Sequence, residues 1–203
     1  MGITKTKETS VNTAALRKEE VMNVAARLFA AKGYHATTLD QIAEEMGVTK
    51  PALYYYVNNK EDILRTIVNR MMEPMEKVTK MGNSSLTPRE KMAGMIKVLV
   101  QFATIRKETA LIAFEQANIL PKRSRDALRR RQKDVENTVQ QVIKEGIAKG
   151  VFTDVDPRMA SFAILAVANG AYRWYRSAGN FPPEKIAGQF IELLENGYVK
   201  HTV

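Results

Sequence analysis

Gly47 separates two short apolar-patterned segments, and this arrangement constrains the fold more than any other feature of the sequence. Two short helices pack at a steep angle only where their closest positions are small or apolar. Ala43 supplies a small residue, and Gly47 permits the left-handed backbone conformation that residues with a Cβ resist. The other inward positions are apolar: Ile42, Met46, Val48, Leu53 and Tyr56. The segment Leu39–Asn58 is therefore predicted to form a helix-turn-helix.

The rest of the chain follows helical periodicity, with no run of alternating β-branched residues. We predict an all-α protein of about nine helices, beginning with a three-helix helix-turn-helix domain. Thr38 with Gln41, or Thr37 with Asp40, fits a capping box before the second helix, which leaves two registers open. Pro74 lies inside the apolar pattern of the fourth helix and is expected to kink or end it at about Glu73.

Three segments divide the chain. Residues 1–14 are polar and are predicted to be a disordered N-terminal arm. Residues 15–59 form the helix-turn-helix domain, with the first helix from about Leu16 to Lys32. A joint near Asn58–Lys60 separates it from the helical domain over residues 60–203.

The composition excludes several kinds of chemistry. The chain has no cysteine, and its two histidines are isolated, so thiolate or zinc sites and Ser-His-Asp catalysis are not expected. No phosphate loop or nucleophile elbow is visible. We therefore expect no enzymatic activity, no metal and no cofactor.

Charge and hydropathy limit the partners. The net charge of +9 favours an anionic partner, but residues 1–60 carry eight Lys/Arg against six Asp/Glu, so the case for DNA rests on the motif. No signal peptide is visible. The longest apolar stretch, Met159–Tyr172, is too short to span a bilayer. A cytoplasmic protein without a membrane partner is expected.

The motif Thr37-Thr38-Leu39-x-x-Ile42-Ala43-x-x-Met46-Gly47-Val48-Thr49-Lys50-x-x-Leu53-Tyr54-x-Tyr56-x-x-x-Lys60-Glu61 resembles the signature of the TetR family of transcriptional regulators. The resemblance is strong over Lys18–Leu64. It implies a repressor that binds a palindromic operator as a homodimer, with residues 60–203 as a ligand-binding and dimerisation domain. A ligand-independent DNA-binding factor, structural or for cell division, is the alternative.

The resemblance also implies two classes of DNA contact in the second motif helix and around it. Base edges would be contacted by Lys50, Pro51, Ala52 and Tyr55. Phosphates would be contacted by Thr38, Thr49, Tyr54, Tyr56 and Lys60. Tyr54 and Tyr56 have core positions as the alternative, and Lys60 could instead cap or solvate the next helix. The basic residues Lys5, Lys7, Arg17 and Lys18 could reach flanking DNA or remain a solvated tail.

Soft apolar residues suit an irregular ligand pocket, although the same spacing is typical of plain core. The candidates are Met71, Met75, Met95, Phe102, Phe114 and Tyr172. The segment Ala168–Arg176, preceded by Gly146-x-x-x-Gly150-x-Phe152, resembles acyl-CoA-responsive members of the family. This resemblance adds Asn169, Trp174 and Arg176 to the pocket and implies an acyl-CoA effector. Its phosphates could use Arg123, Arg125, Arg129 and Arg130; alternatively, this stretch is a solvated helix start or attracts DNA at long range.

The last two helices of the family form a four-helix bundle with their mates in a dimer. The pattern of Asp156–Ala178 is apolar on more than one face, as this arrangement requires. The candidate interface residues are Ala163, Val167, Phe190, Ile191 and Leu194. The helix beginning at Lys60 would link the two domains, with Pro74 allowing its distal half to move separately.

Overall fold

The computed structural model describes residues 4–196, with side chains from residue 17 onward. Within this range there are nine α-helices and one short 3₁₀ helix, and no residue is in a strand. The predicted all-α fold is therefore confirmed. The helices are α1 Thr4–Lys32, α2 Leu39–Glu45, α3 Lys50–Leu53, α4 Lys60–Gly82, α5 Pro88–Ile105, α6 Lys107–Phe114, the 3₁₀ helix Ala117–Ile119, α7 Lys122–Ala148, α8 Pro157–Trp174 and α9 Pro183–Asn196.

Side-chain caps define the start of several helices. Thr38 Oγ1 accepts a hydrogen bond from the Gln41 backbone N–H at 3.2 Å, and Gln41 Oε1 accepts one from the Thr38 N–H at 3.0 Å. This reciprocal pair satisfies two backbone donors that the helix itself cannot, and it selects the Thr38 register for α2. Thr87 and Glu90 form the same capping box before α5.

The structure departs from the sequence prediction at the N-terminus. Helix α1 begins at Thr4 instead of at about Leu16, so residues 4–14 of the predicted disordered arm are helical. No Gly or Pro occurs between residues 4 and 15, and nothing in that stretch stops a helix from extending backwards. The side chains of Lys5 and Lys7 lie outside the described residues.

Helix α4 continues through Pro74, so the predicted end at Glu73 does not occur. Pro74 is buried, and it has no N–H to donate to the carbonyl of Arg70. Packing against the flanking helices α5 and α7 compensates for the missing hydrogen bond. The helix therefore links the helix-turn-helix to the rest of the protein as one element.

The core is continuous across the predicted domain joint. Helix α4 packs against α5 and α7, α5 against α8 and α9, and α1 against α6. Buried side chains extend from Phe29 in α1 through Ile67 in α4 to Val139 in α7. None of the helices between residues 4 and 196 combines the length and apolar character needed to cross a membrane.

Candidate DNA-binding surface and effector cavity

The helix-turn-helix is held by the inward residues that its sequence specifies. Ile42, Ala43 and Leu53 are buried, and Tyr56 is partly buried against the same core. Gly47 has φ +65°, a left-handed conformation that an L-residue with a Cβ adopts at a cost. The two motif helices therefore keep a fixed angle.

The turn that follows helix α3 presents large aromatic side chains to solvent. Tyr55 is 88% exposed and Tyr54 is 49% exposed, which is unusual for rings of this size outside a binding surface. Pro51 is exposed beside them, and Ala52 is half-buried. Tyr54 therefore does not occupy the core position that was its alternative, whereas Tyr56 does.

The hydroxyls of Thr38 and Thr49 lie at the starts of the two motif helices. Each accepts a hydrogen bond from its own helix, from the Gln41 N–H at 3.2 Å and from the Ala52 N–H at 3.4 Å. Both residues are exposed. An anion that approaches these helix starts meets backbone N–H groups as well as hydroxyls.

Lys50 is held by an acidic neighbour from the first motif helix. Its Nζ lies 2.8 Å from Asp40 Oδ2, and both side chains are exposed. The hydrogen bond from Lys50 to Asp40 raises the pKa of the Lys50 ammonium. Lys50 must exchange this carboxylate for a base or phosphate to contact DNA, and the sequence gives no direct signal for such a pair.

Lys60 is the first residue of α4, whose N-cap is Asn59, and its side chain extends to the turn between α1 and α2. Its Nζ donates to the carbonyl oxygens of Tyr34 and Thr37, both at 2.8 Å, and lies 4.5 Å from the centroid of the Tyr34 ring. These contacts bind the start of α4 to the turn between α1 and α2. Lys60 therefore neither caps α4 nor stands as a cation free to face phosphate, since its ammonium is engaged by these carbonyls.

Two further ion pairs tie α4 to its neighbours. Arg70 is 9% exposed and donates to Glu19 and Asn23 of α1, and burial lowers the pKa of its guanidinium. One turn later, Glu73 accepts from Lys77 at 2.8 Å and from Arg106 at 2.9 Å. These hydrogen bonds lower the pKa of the Glu73 carboxyl to about 2. Sequence reasoning missed both groups, because the partners on other elements, Glu19 and Arg106, are distant in the chain.

A cavity of about 250 Å³ lies between α4, α5, α6, α7 and α8. We call it the inner cavity. Its walls are mainly apolar, with a few polar groups. The lining residues are Pro74, Met75, Leu99, Phe102, Phe114, Gln132, Val135, Glu136, Phe162, Leu165 and Asn169.

The inner cavity contains one polar atom without a partner. Asn169 Oδ1 is buried and makes no hydrogen bond to the protein. Leaving such an acceptor unpaired costs about 1–3 kcal/mol, so it marks a place where a ligand donor would gain. An amide carries both an acceptor oxygen and a donor nitrogen, which suits it to orient a polar group in an otherwise apolar site.

The structure separates the predicted pocket residues into three groups. Met75, Phe102, Phe114 and Asn169 line the inner cavity. Tyr172 is buried and stacks on Phe114, with ring centroids 5.7 Å apart and its hydroxyl donating to Glu115 at 2.6 Å. The remaining predicted residues are elsewhere: Met71 and Met95 in the core, and Trp174 and Arg176 at the surface.

The glycine motif before α8 has a packing role. A Cβ at Gly146 would lie 2.0 Å from the Phe152 ring, so only glycine admits that ring. Gly150 has φ +66° and turns the chain after α7. Phe152 in turn lines a second cleft of about 550 Å³ between α5, α7, α8 and α9.

Helices α8 and α9 share an apolar outer face. Met159, Phe162 and Trp174 of α8 are 65%, 42% and 52% exposed, and Leu193 and Leu194 of α9 are 44% and 39% exposed. The predicted interface residues lie on these helices, Ala163 and Leu194 exposed and Val167, Phe190 and Ile191 half-buried. The two helices thus expose far more apolar surface than the nearby polar helix α7.

Together, the packed helix-turn-helix and the exposed tyrosines after α3 indicate a DNA-binding regulator. Comparison with known families agrees. Residues 21–67 match the family described as bacterial regulatory proteins, tetR family. Residues 85–198 match the tetracyclin repressor-like C-terminal domain, more than half of the chain. The chain belongs to the TetR family of transcriptional regulators, whose members are not enzymes.

Relatives match over nearly the whole chain. The HTH-type transcriptional repressor KstR2 of Mycolicibacterium smegmatis is 24% identical over 186 residues, covering 90% of this chain and 91% of that protein. A TetR/AcrR-family regulator from Thermobifida fusca is 32% identical with a TM-score of 0.65, covering 91% and 99%. AibR, in a complex with isovaleryl coenzyme A and operator DNA, is 26% identical with a TM-score of 0.66, covering 90% and 100%.

Proposed function

We propose that this regulator is a repressor that binds a palindromic operator as a homodimer and is released by a small apolar effector, with acyl-CoA thioesters as the first candidates. The observation that carries the DNA-binding part is the exposure of Tyr54 and Tyr55 directly after α3, the second helix of a fully packed helix-turn-helix. Such a helix fits the major groove, and its first residues then contact base edges.

Lys50 and Tyr55 are the residues we expect to discriminate between operators. Lysine donates to guanine, and Pro51 and Ala52 can contact a thymine methyl group. Thr38, Thr49 and Tyr54 would contact phosphates and set the register of the helix on the duplex. Lys50 would leave Asp40 on binding, since the pair is exposed and therefore weak.

Fluorescence-anisotropy titration against the DNA upstream of its own coding region tests this assignment. Lys50→Ala and Tyr55→Ala should each weaken operator binding by about tenfold or more, the equivalent of losing one good base contact. Asp40→Ala should retain or improve binding, because it frees Lys50. The matched controls are Lys97→Ala in α5 and Phe181→Ala before α9, two exposed residues outside the helix-turn-helix. Equal losses in the controls would refute the assignment.

The homodimer is supported by the apolar outer face of α8 and α9. A contiguous apolar face of this kind is typical of a surface that a partner covers. A second copy related by a two-fold axis would place two α3 helices in successive major grooves. Sedimentation should give a dimer for the natural protein and a monomer for Leu194→Glu. Leu86→Glu, at an exposed leucine before α5, should remain dimeric.

The inner cavity is the effector site that we propose. Its volume lies just below the roughly 300 Å³ at which small-molecule pockets usually begin, which favours a short or medium apolar chain. Met75, Phe102 and Phe114 would surround the chain, and Asn169 would orient its carbonyl. The related AibR binds isovaleryl coenzyme A, which places acyl-CoA thioesters first among the candidates.

The arginines of α7 do not support the acyl-CoA assignment. Arg123 and Arg130 line a groove on a different face of α7 from the inner cavity, and Arg125 and Arg129 line neither. The assignment therefore depends on the cavity. Operator complexes that no acyl-CoA releases, from isovaleryl to dodecanoyl, would favour the ligand-independent DNA-binding alternative.

A further inference from the structure

A groove of about 660 Å³ lies between α4 and the N-terminal half of α7. We call it the arginine groove. Its floor is formed by the half-buried apolar residues Val68, Met72 and Ala127, with the polar residues Asn69 and Ser124 beside them. Its rim carries four cations and one acid: Arg123, Arg130, Arg131, Lys133 and Asp134.

The arginine groove is separate from the inner cavity. Positions 123, 127, 130 and 134 of α7 line the groove and recur at three- and four-residue spacing, so they share one helix face. Positions 132, 135 and 136 line the inner cavity from another face. A ligand in one site therefore does not touch the other.

Two of the groove cations have no carboxylate partner in the part of the chain that the structure describes, whereas Lys133 pairs with Glu136 at 2.7 Å. Arg123 and Arg130 have no carboxylate within 4.0 Å among the described side chains, and the Arg131–Asp134 pair is long, at 3.9 Å. Seven other arginines each pair with a carboxylate: Arg17, Arg27, Arg65, Arg70, Arg89, Arg106 and Arg173. Arg125, Arg129, Arg158 and Arg176 have no such pair within the described residues either, so Arg123 and Arg130 differ from these four in facing the same groove. Like charges that face one groove repel each other, and an anion between them relieves that repulsion.

We propose that the arginine groove binds a small organic phosphate, such as a nucleotide. The planar fork of arginine holds phosphate oxygens in pairs, and the apolar floor accommodates the organic part of the ligand. A volume of about 660 Å³ lies within the range of small-molecule pockets. A DNA backbone would use the rim but not the floor, so the floor favours a small ligand.

The test is binding of trinitrophenyl-ADP to the full chain, followed by fluorescence at low and at physiological ionic strength. The groove variant is Arg123→Gln with Arg130→Gln. The matched control is Arg125→Gln with Arg129→Gln, which removes the same charge from the same helix outside the groove. A third variant, Ala127→Phe, fills the floor without a change of charge.

We expect the groove variant and Ala127→Phe to bind the nucleotide about tenfold more weakly, and the control less than about threefold more weakly. Pyrophosphate should compete with the nucleotide but bind less tightly, since it does not reach the floor. Equal loss in the groove variant and its control, or no binding by the natural protein, would overturn the proposal. A third outcome would also overturn it: the protein binds no nucleotide, and only the groove variant lowers the slope of log operator affinity against log salt concentration, by about two. The occupant of the groove would then be DNA.

Discussion

The helix-turn-helix and the domain that contains the inner cavity treat their polar groups differently. In the former, Thr38 is engaged by a capping box, and Lys60 at the start of α4 donates to backbone carbonyls of the turn before α2. In the latter, Asn169 leaves a buried acceptor unpaired. The first region satisfies its polar groups internally, whereas the second leaves the Asn169 oxygen without a partner in the chain, as expected if the proposed effector binds there.

The largest expected effect comes from breaking the Lys60 contacts. Lys60→Met removes two charge-assisted hydrogen bonds and a cation–π contact, and should lower the free energy of unfolding by about 2–3 kcal/mol. Urea denaturation measures this. Lys80→Met, on the exposed face of the same helix, should change it by less than about 0.5 kcal/mol. Similar values for the two variants would mean that Lys60 is an ordinary surface lysine.

The turn between α2 and α3 offers a test at a single position. Gly47→Val forces a β-branched residue into a left-handed conformation and should cost about 1–3 kcal/mol, with loss of operator binding. Asparagine tolerates this conformation, so Gly47→Asn should keep most of the stability and affinity. Thermal unfolding and DNA titration on both variants check this. A valine variant as stable as the asparagine variant would contradict the backbone argument.

A substitution at Asn169 tests whether the unpaired acceptor in the inner cavity destabilises the protein. Asn169→Leu removes an unpaired buried acceptor, so it should raise the free energy of unfolding by about 1 kcal/mol while it weakens effector binding. The control is Asn137→Leu, an exposed site on α7. A destabilised Asn169→Leu protein would indicate that the amide has a structural role.

The smallest effect concerns pH. Because the pKa of Glu73 is lowered to about 2, its ion pairs stabilise the protein fully above pH 4.5 and lose this effect as the pH falls towards 2. Since Glu73 is about half exposed, we expect Glu73→Gln to cost only about 0.5 kcal/mol at pH 7. Denaturation near neutral and at acidic pH should show the gap between the two proteins closing. A gap that is constant with pH would contradict the ion-pair explanation.

The two regions also differ in how far the sequence predicts them. The positions of Gly47, Ala43 and Leu53 are determined by contacts between residues close in the chain. The helix-turn-helix could therefore be placed residue by residue. Met71 and Met75 have the same helical spacing, yet only Met75 lines the inner cavity. Which face of a buried helix meets a cavity depends on the packing of five helices, and periodicity carries no information about it. Ion pairs between residues distant in sequence, such as Arg70 and Glu19, could not be predicted for the same reason.

The most direct test of the account is release of the protein from a labelled operator by octanoyl-CoA, followed by anisotropy. The natural protein should be released as the thioester is added, because effector and DNA favour different conformations. Leu165→Phe, which fills part of the inner cavity, should bind the operator normally but resist release. Release of both proteins at the same thioester concentration would contradict the account, because the effector would then act from a site other than the inner cavity.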